Sequence, residues 1–289
     1  MSSQNSVRVY VLGFSQSLNR QNTERLLYLL ESNGIIVRAS EWIAKGISQN
    51  PLTFQNRAEE FSQALAWQAD WILDVTGGDG SNGVLDLLDY EAYQNSSAVL
   101  AGYSDVSCVL NALAWKTGRP VLLFQASGNL HERALIDLLK KESDLISCPT
   151  DLEGDLVYGD DSVLYGGNVR SFLKLAGTPY LPDLTGKPLF LEAYSTSLIL
   201  FISYLVQLDQ MQVLSSCSRL IIGQLTAIDQ NMLSRGNPQR IFTILEAYGI
   251  NLPENTVRTK EVGHSKDSRA LWIGGRPEWT KRKKGERHE

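Results

Sequence analysis

The sequence has few cysteines, and their spacing limits the chemistry that they can support. Among 289 residues there are three, Cys108, Cys148 and Cys217, and they are far apart without a C-x-x-C pair. An odd number in this arrangement indicates neither a disulfide framework nor a zinc site. Each is therefore expected to be a small, buried apolar residue.

An excess of positive charge and a long apolar run are also missing. The formal net charge of −5 gives no electrostatic reason to bind nucleic acid or an anionic membrane. The longest apolar stretch, residues 198–206, is about half of the roughly 20 residues that span a bilayer. Residues 1–7 are polar and lack the apolar core of a secretory signal. We therefore expect a soluble, cytoplasmic protein without nucleic-acid or membrane partners.

The first half of the chain alternates short apolar runs with amphipathic segments. Strands are predicted at residues 7–12, 35–39, 71–75, 98–101 and 120–124, and helices at residues 23–32, 56–68, 84–90 and 106–116. This alternation indicates an α/β fold, in which helices flank both faces of a mostly parallel N-terminal sheet.

The sequence changes in character between about residues 145 and 159, where turn-forming residues dominate. Beyond this stretch, strands are predicted at residues 162–165, 188–191 and 220–222, and helices at residues 196–208 and 238–248. We predict an N-terminal α/β domain over residues 1–145 and a smaller α+β C-terminal domain over residues 160–280. The basic segment 281–289 is interpreted as a solvated tail rather than a phosphate site.

A glycine-rich loop follows the third predicted strand. Gly78, Gly80 and Gly83 fit the G-x-G-x-x-G pattern of dinucleotide sites, and Asp105 lies 22 residues after the last of them. That pattern normally opens the first βα unit, which this loop does not. Glycines also let the backbone approach a ligand, and helix-start N–H groups bind developing negative charge. An oxyanion or substrate loop is favoured, while a nucleotide site and a structural turn stay open.

Ser104 lies at a sharp turn between an apolar strand and a helix, in Gly102-Tyr103-Ser104-Asp105. This position exposes a side chain at the carboxyl edge of the sheet and brings backbone N–H groups near its hydroxyl, as in a nucleophile elbow. Serine is also a common helix N-cap. The spacing alone does not choose between these two roles.

A serine nucleophile needs a base, and histidine is the usual one. Of the three histidines, His288 lies in the charged tail and His131 begins a charged helix, which leaves His264. An acidic residue must orient the imidazole. Glu192, which ends an apolar strand, is either that residue or a paired structural charge.

Six segments together resemble the LD-carboxypeptidase family of serine peptidases, which includes the microcin-C immunity peptidases. They occur in the family's order and extend through most of the chain. The segments are Gly77-Gly78-Asp79-Gly80-Ser81-Asn82 with Leu88-Asp89-Tyr90, Gly102-Tyr103-Ser104-Asp105-Val106, Tyr165-Gly166-Gly167-Asn168, Gly177-Thr178-Pro179-Tyr180, Leu189-Phe190-Leu191-Glu192 and Gly263-His264.

The resemblance implies two domains with an active site in the cleft between them. It makes Ser104 the nucleophile and Glu192 and His264 the other members of a triad, with the backbone N–H groups of Gly78 and Asp105 as the oxyanion hole. The implied reaction needs no metal or cofactor and releases a terminal D-amino acid, such as D-Ala from murein tetrapeptide in peptidoglycan recycling. The implied partner is a small peptide substrate, and a homodimer is left open.

Two segments near the expected substrate pocket depart from the family's pattern. Gln125-Ala126-Ser127 replaces the usual Gly-Pro pair, and residues 193–205 lack the acidic residue and the arginine that commonly follow the glutamate. These departures bear more on which substrate is bound than on which reaction is catalysed. A related amidase acting on a peptidyl-nucleotide or another small amide, and an inactive ligand-binding member, are the alternatives.

Overall fold

The computed structural model describes residues 6–141, 163–234 and 241–280. The predicted boundary at residues 145–159, Cys148, and the tail 281–289 with His288 lie outside the described residues. The strands are β1 (Arg8–Leu12), β2 (Ser17–Leu18), β3 (Ile36–Ala39), β4 (Trp71–Asp74), β5 (Thr76–Gly77), β6 (Val99–Gly102), β7 (Val121–Leu123), β8 (Tyr165–Asn168), β9 (Pro188–Ala193), β10 (Arg219–Leu225), β11 (Val257–Arg258) and β12 (Leu271–Ile273).

The helices alternate with these strands along the chain. They are α1 (Arg20–Ser32), α2 (Glu41–Ala44), α3 (Phe54–Ala66), α4 (Tyr90–Asn95), α5 (Ser107–Thr117), α6 (Glu132–Leu139), α7 (Val169–Leu173), α8 (Leu198–Gln210), α9 (Val213–Ser216), α10 (Thr226–Ser234) and α11 (Ile241–Ala247), with 3-10 helices at Ser81–Leu87, Ser104–Val106 and Glu278–Thr280. No helix within the described ranges has the length and apolar content needed to cross a membrane.

Six strands form the first sheet, in the order β12-β7-β6-β4-β1-β3. All neighbours are parallel except β12 and β7, so the predicted α/β architecture is confirmed. Every residue of the central strand β4 is buried, as expected where helices cover both faces of a parallel sheet. The edge strand β12 comes from the end of the chain, so the C-terminal segment returns to the first sheet.

Four strands form the second sheet, in the order β11-β10-β9-β8, and all of them are parallel. The largely buried helix α5 connects the two sheets. The Asn111 amide in α5 donates to the Gly166 carbonyl in β8 at 2.7 Å and accepts from the Gly166 N–H at 2.8 Å. These two bonds tie the helix that follows Ser104 to the sheet that contains Glu192.

The predicted helix at residues 84–90 differs from the observed structure. A 3-10 helix occupies Ser81–Leu87, and the α-helix begins only at Tyr90. The reason is a new helix start at Asp89, whose carboxylate accepts from the Ala92 N–H in the manner of an N-cap. The predicted burial of Cys108 and Cys217 is confirmed, and both are free thiols.

Gly166 in β8 allows a close approach of two strands that no other residue would permit. Its φ of 127° disfavours L side chains, and a Cβ there would lie 1.8 Å from the Phe190 carbonyl oxygen. We expect Gly166→Ala to lower the free energy of unfolding by more than about 3 kcal/mol, since strain and overlap add. Urea unfolding monitored by circular dichroism measures this change.

The matched control is Gly186→Ala, in a turn where φ is 68° and a Cβ would have no neighbour within 4 Å. This variant bears only the left-handed backbone strain, about 1–2 kcal/mol. Equal losses in the two variants would show that the close approach of β8 and β9 is not what requires Gly166.

Candidate active site

Ser104 has a strained backbone. It follows β6 with φ of 57°, in the left-handed region that non-glycine residues occupy at a cost of about 1–3 kcal/mol. The surrounding turn is held in place: the Phe124 N–H donates to the Gly102 carbonyl at 2.8 Å, and a Cβ on Gly102 would lie 2.8 Å from Val106. The turn therefore projects the serine hydroxyl from the carboxyl end of the sheet, as a nucleophile elbow does.

Ser104, His264 and Glu192 are joined by hydrogen bonds although they are distant in sequence. His264 Nε2 lies 3.1 Å from Ser104 Oγ, and His264 Nδ1 lies 2.6 Å from Glu192 Oε2. With the carboxylate on the Nδ1 side, the proton belongs on Nδ1 and Nε2 is free to accept from the serine. The three residues named from the sequence are thus brought together in one bonded chain.

The Glu192 carboxylate has no exposed surface. Its second oxygen, Oε1, accepts a hydrogen bond of 3.0 Å from Asn168 Nδ2. Asn168 is placed there by strand register, because it pairs with Glu192 across β8 and β9. Both carboxylate oxygens are therefore satisfied, which a buried charge requires.

The imidazole of His264 lies between two tyrosine rings. The Tyr194 ring is nearly parallel to it, with centroids 4.6 Å apart and planes 13° apart, and the Tyr103 ring is tilted at 4.4 Å. Tyr103 Oη also donates to the Gly263 carbonyl at 2.8 Å. Burial, with a contribution from the Glu192 charge, raises the pKa of Tyr103 well above its usual range, so this donor stays protonated.

A cavity of about 560 Å³ adjoins these residues and is lined by Ser104, His264 and Gly78, among others. The φ of Gly78 is 120°, so its loop depends on glycine. Asp105 contributes backbone rather than side chain near the serine: it lies in the first turn of a 3-10 helix, where N–H groups have no helical partner. Its carboxylate is buried elsewhere, bonded to Ser15 and Ser81.

The other two glycines of the loop pack against an aromatic ring. A Cβ on Gly83 would lie 2.6 Å from the Phe54 ring, and one on Gly80 would lie 3.8 Å from it. Gly83 thus makes room for a side chain of α3, whereas Gly80 is favoured by its φ of 98°, so packing and backbone conformation account for these two glycines without a nucleotide. His131 contacts the Asp267 carbonyl at 2.9 Å and is not part of the hydrogen-bonded chain.

The first departure from the family's pattern, Gln125-Ala126-Ser127, lies in the cavity wall, and Tyr194 is the residue of the second departure, 193–205, that lines the cavity. Sequence reasoning did not single out Asn168, Tyr103 or Tyr194 as site residues. Asn168 and Tyr103 belong to two of the segments that resemble the family, and this membership was the sign in the sequence that they could be site residues. Tyr194 lies in the departing segment 193–205, which was placed near the pocket, but its contact with His264 depends on tertiary structure and could not be predicted.

Comparisons with known proteins all point to one family. The LD-carboxypeptidase N-terminal domain matches residues 9–123, and the LD-carboxypeptidase C-terminal domain matches residues 161–278. A Treponema pallidum (strain Nichols) protein that bears a carboxypeptidase name is 29% identical over 196 residues, 57% of this chain and 58% of that protein. The Microcin C7 self-immunity protein MccF of Escherichia coli is 24% identical over 232 residues, 67% of this chain and 66% of MccF. The matches thus span less than two thirds of either relative.

The fold is shared with a solved structure. The muramoyltetrapeptide carboxypeptidase from Oxalobacter formigenes superposes with a TM-score of 0.73 at 19% identity, over 93% of each chain. At this identity the likeness establishes the architecture, including its two-part organisation, and not the substrate.

Asp74, in the wall of the same cavity, makes stability depend on pH. Burial raises its pKa from 3.8 to about 7, against the opposing effect of bonds from the Phe14 and Thr76 N–H groups. Between these two values the folded protein holds a proton that the unfolded chain has lost. The contribution is therefore most favourable below the unfolded pKa and declines as the pH rises to about 7.

We expect the wild-type free energy of unfolding to fall more steeply than that of Asp74→Asn between pH 4 and pH 7. Each unit of pKa difference corresponds to about 1.4 kcal/mol, so the two curves should separate by several kcal/mol at most. Urea unfolding at one-unit pH intervals measures both curves, and other titrating groups cancel in the difference. Parallel curves would mean that Asp74 is ionised throughout.

Proposed function

The chain belongs to the LD-carboxypeptidase family, and we propose that it is a serine peptidase with Ser104, His264 and Glu192 as its catalytic triad. The observation that supports this assignment is the unbroken hydrogen-bond chain from the buried Glu192 through His264 to Ser104. The strained φ of Ser104 and its place at the cavity agree with a nucleophile rather than a simple helix cap.

In the proposed reaction, Ser104 Oγ attacks the scissile carbonyl while His264 Nε2 accepts its proton. Glu192 accepts from Nδ1–H, which fixes the tautomer and stabilises the imidazolium that forms. The N–H groups of Gly78 and Asp105 receive the oxyanion. The amine leaves with the proton from His264, and water then hydrolyses the acyl-enzyme with the same histidine as base.

The substrate that we propose is a small peptide with an amide bond between an L-centre and a terminal D-amino acid, such as murein tetrapeptide ending in D-Ala. The name of the Oxalobacter formigenes structural neighbour supports this class. Lys266 in the cavity wall offers a cation to a substrate carboxylate. Among the described residues, the buried Oε1 of Gln125 has no partner, and a substrate N–H would satisfy it.

The second candidate substrate is an aminoacyl sulfamoyl nucleoside or a similar small amide. MccF is among the relatives, and its solved structures hold such nucleosides. Incubation with murein tetrapeptide and, separately, with aspartyl sulfamoyl adenosine distinguishes the two by mass spectrometry. Release of D-Ala supports the carboxypeptidase, whereas cleavage of the nucleoside alone assigns the enzyme to the second class.

We expect Ser104→Ala to lower kcat by at least about 10⁴-fold and His264→Ala by a similar factor, because triad members act as a unit. Product release from the cleaved substrate, measured with each purified variant, checks this expectation. Ser215→Ala, at an exposed serine of α9, is the matched control and should retain wild-type turnover. Retention of more than a few per cent of activity by Ser104→Ala would contradict the assignment.

A further inference from the structure

One cation outside the cavity wall links the two loops that the proposed mechanism uses for the oxyanion. Lys174, just after α7, forms ion pairs with the Asp105 carboxylate and, at 3.2 Å, with Asp79 Oδ1. Its side chain is 19% exposed. Burial acts to lower the pKa of Lys174, but the bonds to Asp105 and Asp79 raise it overall, so the side chain remains a cation.

At the Asp105 end, the residue that follows Ser104 is fixed through both its side chain and its backbone. Asp105 Oδ2 accepts from Ser15 Oγ and from the Ser81 N–H, each at 2.8 Å. The Asp105 carbonyl accepts from Ser81 Oγ at 2.7 Å and from Ser171 Oγ in α7. Lys174 supplies the opposite charge without which a carboxylate this buried would be strongly destabilising.

At the Gly78 end, the same segment of chain holds the glycine-rich loop. Arg170 Nη1 donates to Asp79 Oδ2 at 2.9 Å, and Arg170 Nη2 donates to the Gly78 carbonyl at 3.3 Å. Gly78 itself has no side chain with which to fix its position, and its backbone is conformationally permissive. Contacts from α7 and Lys174 therefore restrict where the Gly78 N–H can point.

We propose that Lys174 is a positioning residue that holds the Gly78 loop and the Ser104–Asp105 turn at a fixed separation, so that their N–H groups converge on one oxyanion. This inference rests on the proposed function. Lys174 acts through Asp79 and Asp105, since the cavity is lined by other residues. Its removal should weaken oxyanion stabilisation while leaving the triad itself in place.

The test uses two esters that phosphonylate serine, ethyl p-nitrophenyl methylphosphonate and its thiono analogue with P=S in place of P=O. Ser104 Oγ bonds to phosphorus, the bond from phosphorus to the aryl oxygen breaks, p-nitrophenolate leaves, and His264 takes the serine proton. The phosphoryl oxygen occupies the oxyanion position, whereas sulfur accepts much weaker hydrogen bonds. The ratio of the two rate constants, kO/kS, thus reports on the oxyanion donors.

We expect Lys174→Met to lower the rate with the P=O ester by about 10- to 100-fold, somewhat less than the loss of a whole donor. The P=S ester should be affected far less, so kO/kS falls by about the same factor. With peptide substrate, kcat should fall while KM changes little. Lys187→Met is the matched control, since Lys187 is a similarly half-buried lysine paired with Asp183, and it should leave the ratio unchanged.

Asp79→Asn provides a second variant, because its half-exposed carboxylate can be neutralised without leaving a buried charge unpaired. It should also lower kO/kS, in protein whose near-ultraviolet circular dichroism matches the wild type. An unchanged kO/kS in both variants, with rates scaling only with the folded fraction, would overturn the proposal. Absence of any labelling of wild-type Ser104 would instead overturn the proposed function, and this inference with it.

Discussion

The rest of the structure is organised around a carboxylate that has no contact with solvent. A charge at this depth costs several kcal/mol unless other groups compensate it. Glu192 obtains that compensation from two places: Asn168 on the neighbouring strand and His264 from a distant loop. The register of β8 against β9 is therefore constrained, because a shift of one residue would turn the Asn168 amide to the other face.

The same constraint determines the path of the chain near its end. His264 lies between β11, in the second sheet, and β12, in the first. Its loop is tied down on both sides, by the Gly263 N–H bond to Ser268 Oγ and by the Tyr103 bond to the Gly263 carbonyl. After this loop, β12 pairs with β7 as an edge strand of the first sheet. Separation of the two sheets would break the link between Glu192 and Ser104, so the proposed chemistry depends on the packing of the whole chain.

Periodicity and turn residues predicted five of the six strands of the first sheet, because each is a local apolar run between turn residues. The edge strand β12 was not predicted, and residues 160–280 were expected to belong to the second domain, because pairing of β12 with β7 depends on tertiary structure. Ser104, like the five predicted strands, could be found from local sequence: a glycine after an apolar run, followed by a helix, places it at a strand end. The contacts of Lys174 and Tyr194 could not be found, since a lysine beside an apolar helix and a tyrosine after a strand carry no sign of their tertiary partners. The G-x-G-x-x-G spacing misleads for the converse reason, because the space at Gly83 is required by Phe54, far away in sequence.

The site separates into two groups of residues that differ in how freely they can change. Glu192, Asn168 and Tyr103 are buried and bonded to one another or to the His264 loop, so substitution at one leaves a partner unsatisfied. Gln125, Lys266 and Ser127 line the cavity wall, and a change there alters what the cavity can accept without disturbing the proton path. Divergence from the family's pattern at Gln125-Ala126-Ser127 falls in the second group. A change of substrate is therefore compatible with an intact hydrogen-bond chain from Glu192 through His264 to Ser104, and a substrate screen should vary the groups that face this wall while keeping the scissile amide of the proposed reaction.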